Sequence, residues 1–410
     1  MDGYTHALVP YSIGRLLGRR EAEIAALLLG AVIPDGDWVI VLLDRVLSFS
    51  VASVHRGITH SIIFGFLSAL IALFIFTRKG VRRYFEPGSR TRLTSALRIY
   101  FWVSLMLATL VQPALFLLQM SYSTGQPFFI LAFPLAFVVY RTYGGLSTLI
   151  ALILDKLHKL EMGFSSLVFA CIGVVFHLFL DYITSGGIPL LFPFSLTRFS
   201  AELFFYIDPL FMMTSGVFII YLLTRIRQSR QVLVTRGSLA VFLCILLVTG
   251  GLRFAAVSSV REEFGSNASV YPSGSPLQLI GVEKNQSPNI VHVFGYDMLE
   301  KKLTFTKSFD RITVSSNMNS SVPEGLTAET AIREARSLLA VQRFEWLAKV
   351  VVINATYDSK SQAWLLEYGD AVRRAEMDNY PGFLRSAARS PFVFGGELRV
   401  KVTKSGAELV

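Results

Sequence analysis

Six apolar runs, at residues 58–77, 97–119, 128–154, 164–183, 203–224 and 238–257, dominate this chain. Each reaches the roughly 20 residues that an α-helix needs to cross about 30 Å of hydrocarbon. A segment in lipid must satisfy its own backbone, so runs of this length leave helices as their fold. Composition agrees: 17% of the 410 residues are charged, against about 25% in a typical soluble domain, and the mean hydropathy is +0.51. The formal net charge of +10 does not point to nucleic acid. Much of the excess sits in short stretches between apolar runs, where membrane topology accounts for it. Cys171 and Cys244 both fall inside apolar runs, which argues against a disulfide framework or a zinc knuckle. Polar Asp2 and His6 come first and Arg19-Arg20 follow the first apolar stretch, the reverse of a cleaved signal peptide.

Before residue 57 the pattern differs. Stretches 4–17 and 22–33 are apolar but short, and Pro34-Asp35-Gly36-Asp37 interrupts what would otherwise be one span. Broken helices at membrane depth are tolerated where they line a buried or watery cavity, so a helical hairpin dipping partway is expected here. The run 128–154 carries Arg141 near its middle and is expected to tilt or to break at Gly144-Gly145. Arg78, Lys79, Arg82, Arg83, Arg90 and Arg92 crowd one connection, Lys156 and Lys159 another, and Arg225, Arg227, Arg230 and Arg236 a third. If each long run crosses once, all three connections share a side, which the positive-inside rule makes cytoplasmic. After residue 257 the chain turns polar. Alternating runs at 290–294 and 303–309, strand-like 350–353 and 398–402, a turn at Tyr271-Pro272-Ser273-Gly274 and a helical stretch at 328–348 after an N-cap at Thr327 read as a folded domain. The expected fold is an all-α polytopic membrane domain at 1–257, a helical bundle with a short N-terminal hairpin. A soluble α+β domain at 258–410 follows, outside the cytoplasm of an inner-membrane protein.

Ionisable residues inside or beside apolar helices are costly and default to function. There are four such constellations: Thr5-His6, Pro34-Asp35-Gly36-Asp37-Trp38, His55-Arg56-Gly57-Ile58-Thr59-His60-Ser61 and His177-Leu-Phe-Leu-Asp181. Residues i and i+4 share a helix face, so His177 and Asp181 point at one ion or at each other. Taken singly, His6 reads as an interfacial residue, the Pro-Asp-Gly-Asp run as a turn, and His55 as a titrating surface group. Topology brings them together. His55 and His60 begin a span at the extracytoplasmic face, His177 and Asp181 end one there, and a hairpin dipping from that face returns His6, Asp35 and Asp37 to it. Mixed His and carboxylate sites suit zinc and other first-row divalent metals, manganese and iron among them. Arg56 is placed to orient an anionic substrate, and Asp35 or Asp37 to act as general base.

In this order the four motifs resemble those of the YdjM-type family, LexA-binding inner-membrane proteins described as metal-dependent hydrolases. The stretch from Thr184 through Gly187 and Pro193 to Phe194, and Ile207-Asp208-Pro209, resemble later motifs of the family and of its tailed branch. The resemblance covers roughly residues 1–215. It implies a helical metal core akin to that of zinc-dependent phospholipase C and P1-type nucleases, and phosphoester chemistry. By that analogy His6, Asp35, Asp37, His55, His60, His177 and Asp181 are the metal-site residues. Trp38 stands where many members carry His. The expected function is hydrolysis of a phosphoester in a membrane lipid or envelope precursor at the extracytoplasmic face. The rival readings are an ion- or proton-coupled transporter, and a non-catalytic scaffold with a structural metal. The partners expected are membrane lipids and a membrane-associated substrate.

Overall fold

The two short apolar stretches fold as helices α1 (Gly3–Leu16) and α2 (Glu21–Val32). Gly18 turns the chain between them at φ +61, a left-handed value that glycine adopts without steric cost. Glu23 anchors the start of α2. One of its oxygens accepts from the N–H of Arg20 at 3.1 Å, the other from the Ser165 hydroxyl at 2.6 Å. Pro34 has no N–H to continue the ladder, and Ile33–Asp37 closes as a 3-10 turn.

In the computed structural model, residues 3–37, 40–41, 43–44, 50–83, 130, 157–206, 208, 211, 214–215, 228–274, 277–283, 289–316, 326–377 and 397–410 are described. The runs 97–119 and 128–154 (except Ile130), with Arg141, most of 203–224, and Trp38 lie outside them. The run 58–77 is α-helical over less than its length. Its regular helix, α3 (Ile62–Phe76), has 15 residues, about 22 Å of rise against about 30 Å of hydrocarbon. The residues before it form a 3-10 turn at Ile58–His60. Ser61 caps α3, its hydroxyl accepting from the N–H of Phe64 at 3.3 Å. The basic helix α4 (Lys79–Arg82) follows. Among the described residues, two helices are long and apolar enough to cross a membrane: α5 (Phe164–Tyr182), and residues Thr235–Phe264 of α6 (Gln228–Phe264).

One compact unit comprises Met1–Leu43, Val54–Leu252 and Gly274–Pro276. Its centre is the crossing of α2 and α5. A Cβ on Gly173 would overlap the carbonyl oxygen of Leu27 and come within 2.7 Å of the Ala31 nitrogen, and one on Gly30 would overlap the Ala170 carbonyl. Small residues let membrane helices approach to backbone contact in this way. Ala25, Ala26 and Leu29 of α2, Ala69 and Leu73 of α3, and Val174 and Leu178 of α5 fill the surrounding core.

The other unit comprises Asp44–Ser53, Arg253–Ser273 and Leu277–Val410. It is built on two sheets. Strands β1 (Ser269–Pro272), β2 (Gln278–Glu283), β3 (Ile290–Asp297) and β4 (Lys302–Asp310) form an antiparallel meander. β5 (Ile312–Ser316) pairs parallel with β6 (Val351–Asp358), which continues antiparallel through β7 (Ala363–Asp370), β8 (Leu398–Thr403) and β9 (Gly406–Leu409). The stretch expected as one helix at 328–348 is two, α7 (Ala328–Ala335) and α8 (Leu339–Leu347). The break at Leu338, which is extended, lets Ala331, Ile332 and Ala335 of α7 and Val341 and Phe344 of α8 reach one core against the second sheet. Thr327 caps α7, accepting from the N–H of Thr330 at 3.2 Å. A further helix, α9 (Ala371–Met377), packs with Val352 against β2 and β3.

Candidate metal centre

The break after α2, the turn before α3 and the end of α5 bring four donor groups to one point. Nε2 of His60 lies 3.4 Å from Oδ1 of Asp35, 3.3 Å from Oδ2 of Asp181 and 3.1 Å from Nε2 of His177. Nε2 of His177 lies 3.6 Å from the Asp35 oxygen and 3.5 Å from that of Asp181. Four donors at zinc-type bond lengths around one ion stand about 3.3–3.4 Å apart when tetrahedral. The five separations made by the two histidine nitrogens, 3.1–3.6 Å, bracket that value, and all four donors lie within 4.8 Å of one another.

Both imidazoles are held through Nδ1, which turns Nε2 inward. Nδ1–H of His177 donates to the carbonyl of Ala31 at 2.7 Å, one of the carbonyls that the end of α2 leaves without a helical partner. The Thr59 hydroxyl donates to the carbonyl of Pro34 at 3.0 Å. Having given up its one hydrogen, it accepts from Nδ1–H of His60 at 3.2 Å. With both Nδ1 atoms so occupied, the two Nε2 atoms face each other at 3.1 Å beside two carboxylate oxygens. Such an arrangement calls for positive charge among the four atoms, a bound ion or a ring proton. Groups of this kind fix the orientation of ligating histidines in metal sites.

The remaining residues surround this point in distinct ways. His6 is fully buried and stacks on His177 with ring centroids 3.9 Å apart. Its Nε2 lies 3.2 Å from Oδ1 of Asp181, yet neither ring nitrogen makes an aligned hydrogen bond among the described residues. A buried polar atom left so calls for a ligand, ion or water. Asp37 is outside the four but lies behind His60, its Oδ2 3.5 Å from His60 Nδ1 and 3.4 Å from the Thr59 hydroxyl. It accepts from Nδ1 of His55 at 2.9 Å and from the N–H of Arg56 at 3.0 Å. Nε2 of His55 points back toward Asp35, 4.0 Å from Oδ1. Asp35, 24% exposed, and His55, 16% exposed, form the open side.

Arg56, read from the sequence as a substrate-facing group, faces inward and is 1% exposed. It donates to Asp181 at 2.8 Å, to the Thr184 hydroxyl at 2.9 Å and to the Tyr206 carbonyl at 3.3 Å, and stacks on the Tyr206 ring at 3.7 Å. Its backbone lies at φ +60, uncommon for a bulky residue and costing about 1–3 kcal/mol. Gly186 is required beside it, since a Cβ there would stand 2.5 Å from the guanidinium and from the Tyr206 ring. The sequence reading missed Thr59, Thr184, Tyr206 and the Ala31 carbonyl. Thr59 and Thr184 sit inside motifs it had quoted; a backbone carbonyl carries no signature at all.

These elements define a helical unit with a buried His/carboxylate cluster of the composition and spacing that hold a metal ion. The chain belongs to the YdjM family: the family model described as YdjM inner membrane protein matches residues 1–117 and 127–256, more than half of its length. No curated protein and no solved structure matches it.

Proposed function

We propose that this protein is a metal-dependent hydrolase embedded in the inner membrane. Its substrate in this reading is a phosphoester of a lipid or envelope precursor, met at the extracytoplasmic face. The observation that carries the reading is the pair of inward-turned Nε2 atoms of His60 and His177, 3.1 Å apart, closed in by Asp35 and Asp181. Those four residues would hold the ion, zinc first and manganese or iron as alternatives, with His6 beside them.

Held there, a divalent ion supplies Lewis acidity and an acidified water near neutral pH. The chain's own residues do the rest. Arg56 fixes the Asp181 carboxylate and offsets part of its charge. Asp37 orients His55 through Nδ1, which presents Nε2 at the open side as proton acceptor. Asp35 is both ligand and border of that opening. The basic connections Arg78 to Arg92 and Arg225 to Arg236 support a polytopic bundle with the C-terminal domain outside the cytoplasm. A structural metal in a scaffold protein is the second reading. Full closure would favour it; the exposure of Asp35, 24%, favours hydrolysis.

The test is metal content by elemental mass spectrometry, for the purified protein and a His60→Ala, His177→Ala double variant. Assays on phosphomonoester, phosphodiester and lipid phosphate substrates in mixed micelles accompany it. Stoichiometric metal lost in the variant, with turnover lost alongside, is the expected result. No metal in the parent protein after supplementation refutes the reading, and metal without turnover on any of these substrates turns it to the scaffold.

A further inference from the structure

Helix α3 presents Ile63, Leu67, Leu70, Ile71 and Phe74 as one exposed apolar face, and buries Gly65, Ala69, Ala72 and Leu73 on the other. In a chain of an inner-membrane family, an exposed face of this kind belongs to lipid. Arg78 and Lys79 follow the C-terminal cap at Thr77 and mark where hydrocarbon stops at that end. Measured from there, α3 rises about 22 Å and leaves about 8 Å of the roughly 30 Å of hydrocarbon without helix. Helix α5 gives the same figure independently. It passes the start of α3 at His177, whose Nε2 lies 3.1 Å from that of His60. From His177 it runs on five residues to Tyr182, a further rise of about 8 Å.

The segment after α5 stands in that gap. The N–H of Ile62, the first residue of α3, donates to the carbonyl of Leu190 at 3.1 Å, and the rings of Phe64 and Phe192 lie 5.7 Å apart. The turn is braced. The N–H of Phe192 donates to the Pro189 carbonyl at 3.0 Å, and that of Phe194 to the Leu191 carbonyl at 2.9 Å. At its base Ile188 and Phe199 exchange both backbone bonds, at 3.0 and 2.9 Å. The Arg198 guanidinium donates to the carbonyls of Gly186 and Gly187 at 2.6 and 2.7 Å. A frame held at so many points nonetheless turns its apolar groups outward: Phe194 is 84% exposed, Leu191 49% and Leu196 44%. Residues 191–196 include no ionisable side chain, so nothing in the turn selects a headgroup. On a soluble protein such a patch would mark a protein partner. Its continuity with the exposed face of α3 decides for acyl chains.

We propose that the turn at residues 191–196 is a membrane wedge. Leu191, Phe194 and Leu196 lie in the upper acyl region of the leaflet at the start of α3, and complete there the apolar belt that α3 leaves short. Neither a metal nor turnover enters this inference.

The experiment uses the full chain in phosphatidylcholine vesicles. Phe194→Trp, Leu196→Trp and, as reference on the α3 face, Ile71→Trp are each compared with the parent, whose four tryptophans give the background. The added emission of Phe194→Trp and Leu196→Trp is expected to be blue-shifted, to be lost when the lipids carry bromine on upper acyl carbons, and to resist iodide in the water. Emission like that of tryptophan in water, lost to iodide and unchanged by brominated lipid, overturns the proposal. If Ile71→Trp is untouched by brominated lipid as well, the face of α3 does not meet lipid and the inference fails at its base. Tryptophan has its own preference for the interface, so a second measurement removes apolar groups instead. The Phe194→Ser, Leu196→Ser double variant is expected to melt below the parent, with a larger loss in long-chain than in short-chain lipids, because a thinner bilayer needs less of the wedge. An equal loss in both marks a merely structural turn and overturns the proposal.

Discussion

Replacing Gly173 by alanine should weaken metal binding without touching any ligand. The new Cβ would overlap the Leu27 carbonyl oxygen and stand 2.7 Å from the backbone nitrogen of Ala31, where ordinary contact begins at 3.4 Å. Both obstacles are backbone, so no rotamer change relieves them; the Leu27 oxygen, 2.2 Å away, is the nearer, and α2 and α5 must part by about 1.2 Å to bring it to ordinary contact. His177 lies one turn further along α5, and its Nδ1 reaches the carbonyl of Ala31 at 2.7 Å. The same displacement stretches that bond to about 3.9 Å, beyond hydrogen bonding. Loss of such an orienting bond costs about 10–100-fold in metal affinity. Competition with a chelating dye in detergent measures it directly. Gly237→Ala is the control: nothing lies within 4 Å of a Cβ there, and alanine in mid-helix stabilises by about 1 kcal/mol. Wild-type affinity in Gly173→Ala would show that the close crossing does not orient His177.

Thr59→Val removes the hydroxyl that bridges Pro34 and His60. It should lower metal affinity about tenfold and thermal stability by about 1–3 kcal/mol, whereas Thr59→Ser should retain both. In the C-terminal domain, burial pushes the Asp370 carboxyl above its ordinary value, against donation from the N–H groups of Lys349, Val350 and Val372. A carboxyl raised on folding contributes most below its unfolded pKa of about 3.9, and its contribution falls as pH climbs to the folded value. Denaturant titrations from pH 4 upward should show that decline in the parent and its absence in Asp370→Asn.

How far the site was legible follows from which residues carry a chemical signature. His55, His60, His177 and Asp181 stood out because ionisable groups do not sit in apolar helices without cause, and Pro34 announced the break that exposes Asp35. The i, i+4 spacing placed His177 and Asp181 on one face, and both now flank His60. Direction was not legible. Nothing in Pro34-Asp35-Gly36-Asp37 distinguishes the carboxylate that faces the cluster from the one that orients His55 and Arg56. That choice is made by the turn at Ile58–His60, which consumed residues read as part of a crossing. Arg56 misled because its partners, Thr184 and Tyr206, come from a segment far along the chain. In the C-terminal domain alternation found β3 and β4, while β7 escaped notice because Trp364, Leu366 and Tyr368 face one core and Leu365 is half-buried on the other. The break between α7 and α8 was equally hidden, since Ser337-Leu338 contains neither glycine nor proline.

The separation between His60 and His177, 117 residues, has a consequence for how the protein is made. At synthesis rates of about 5–20 residues per second, the ribosome needs about 6–23 s to travel from one to the other. For that interval Asp35, Asp37 and His60 have left the ribosome and Arg56 has no Asp181. A nascent chain cannot bury these charges in lipid unaided, so the N-terminal third must wait at the interface or in the insertion machinery until α5 arrives. Closing the centre is then a late event of membrane assembly, and a chain truncated before α5 should be recognised as incomplete and degraded.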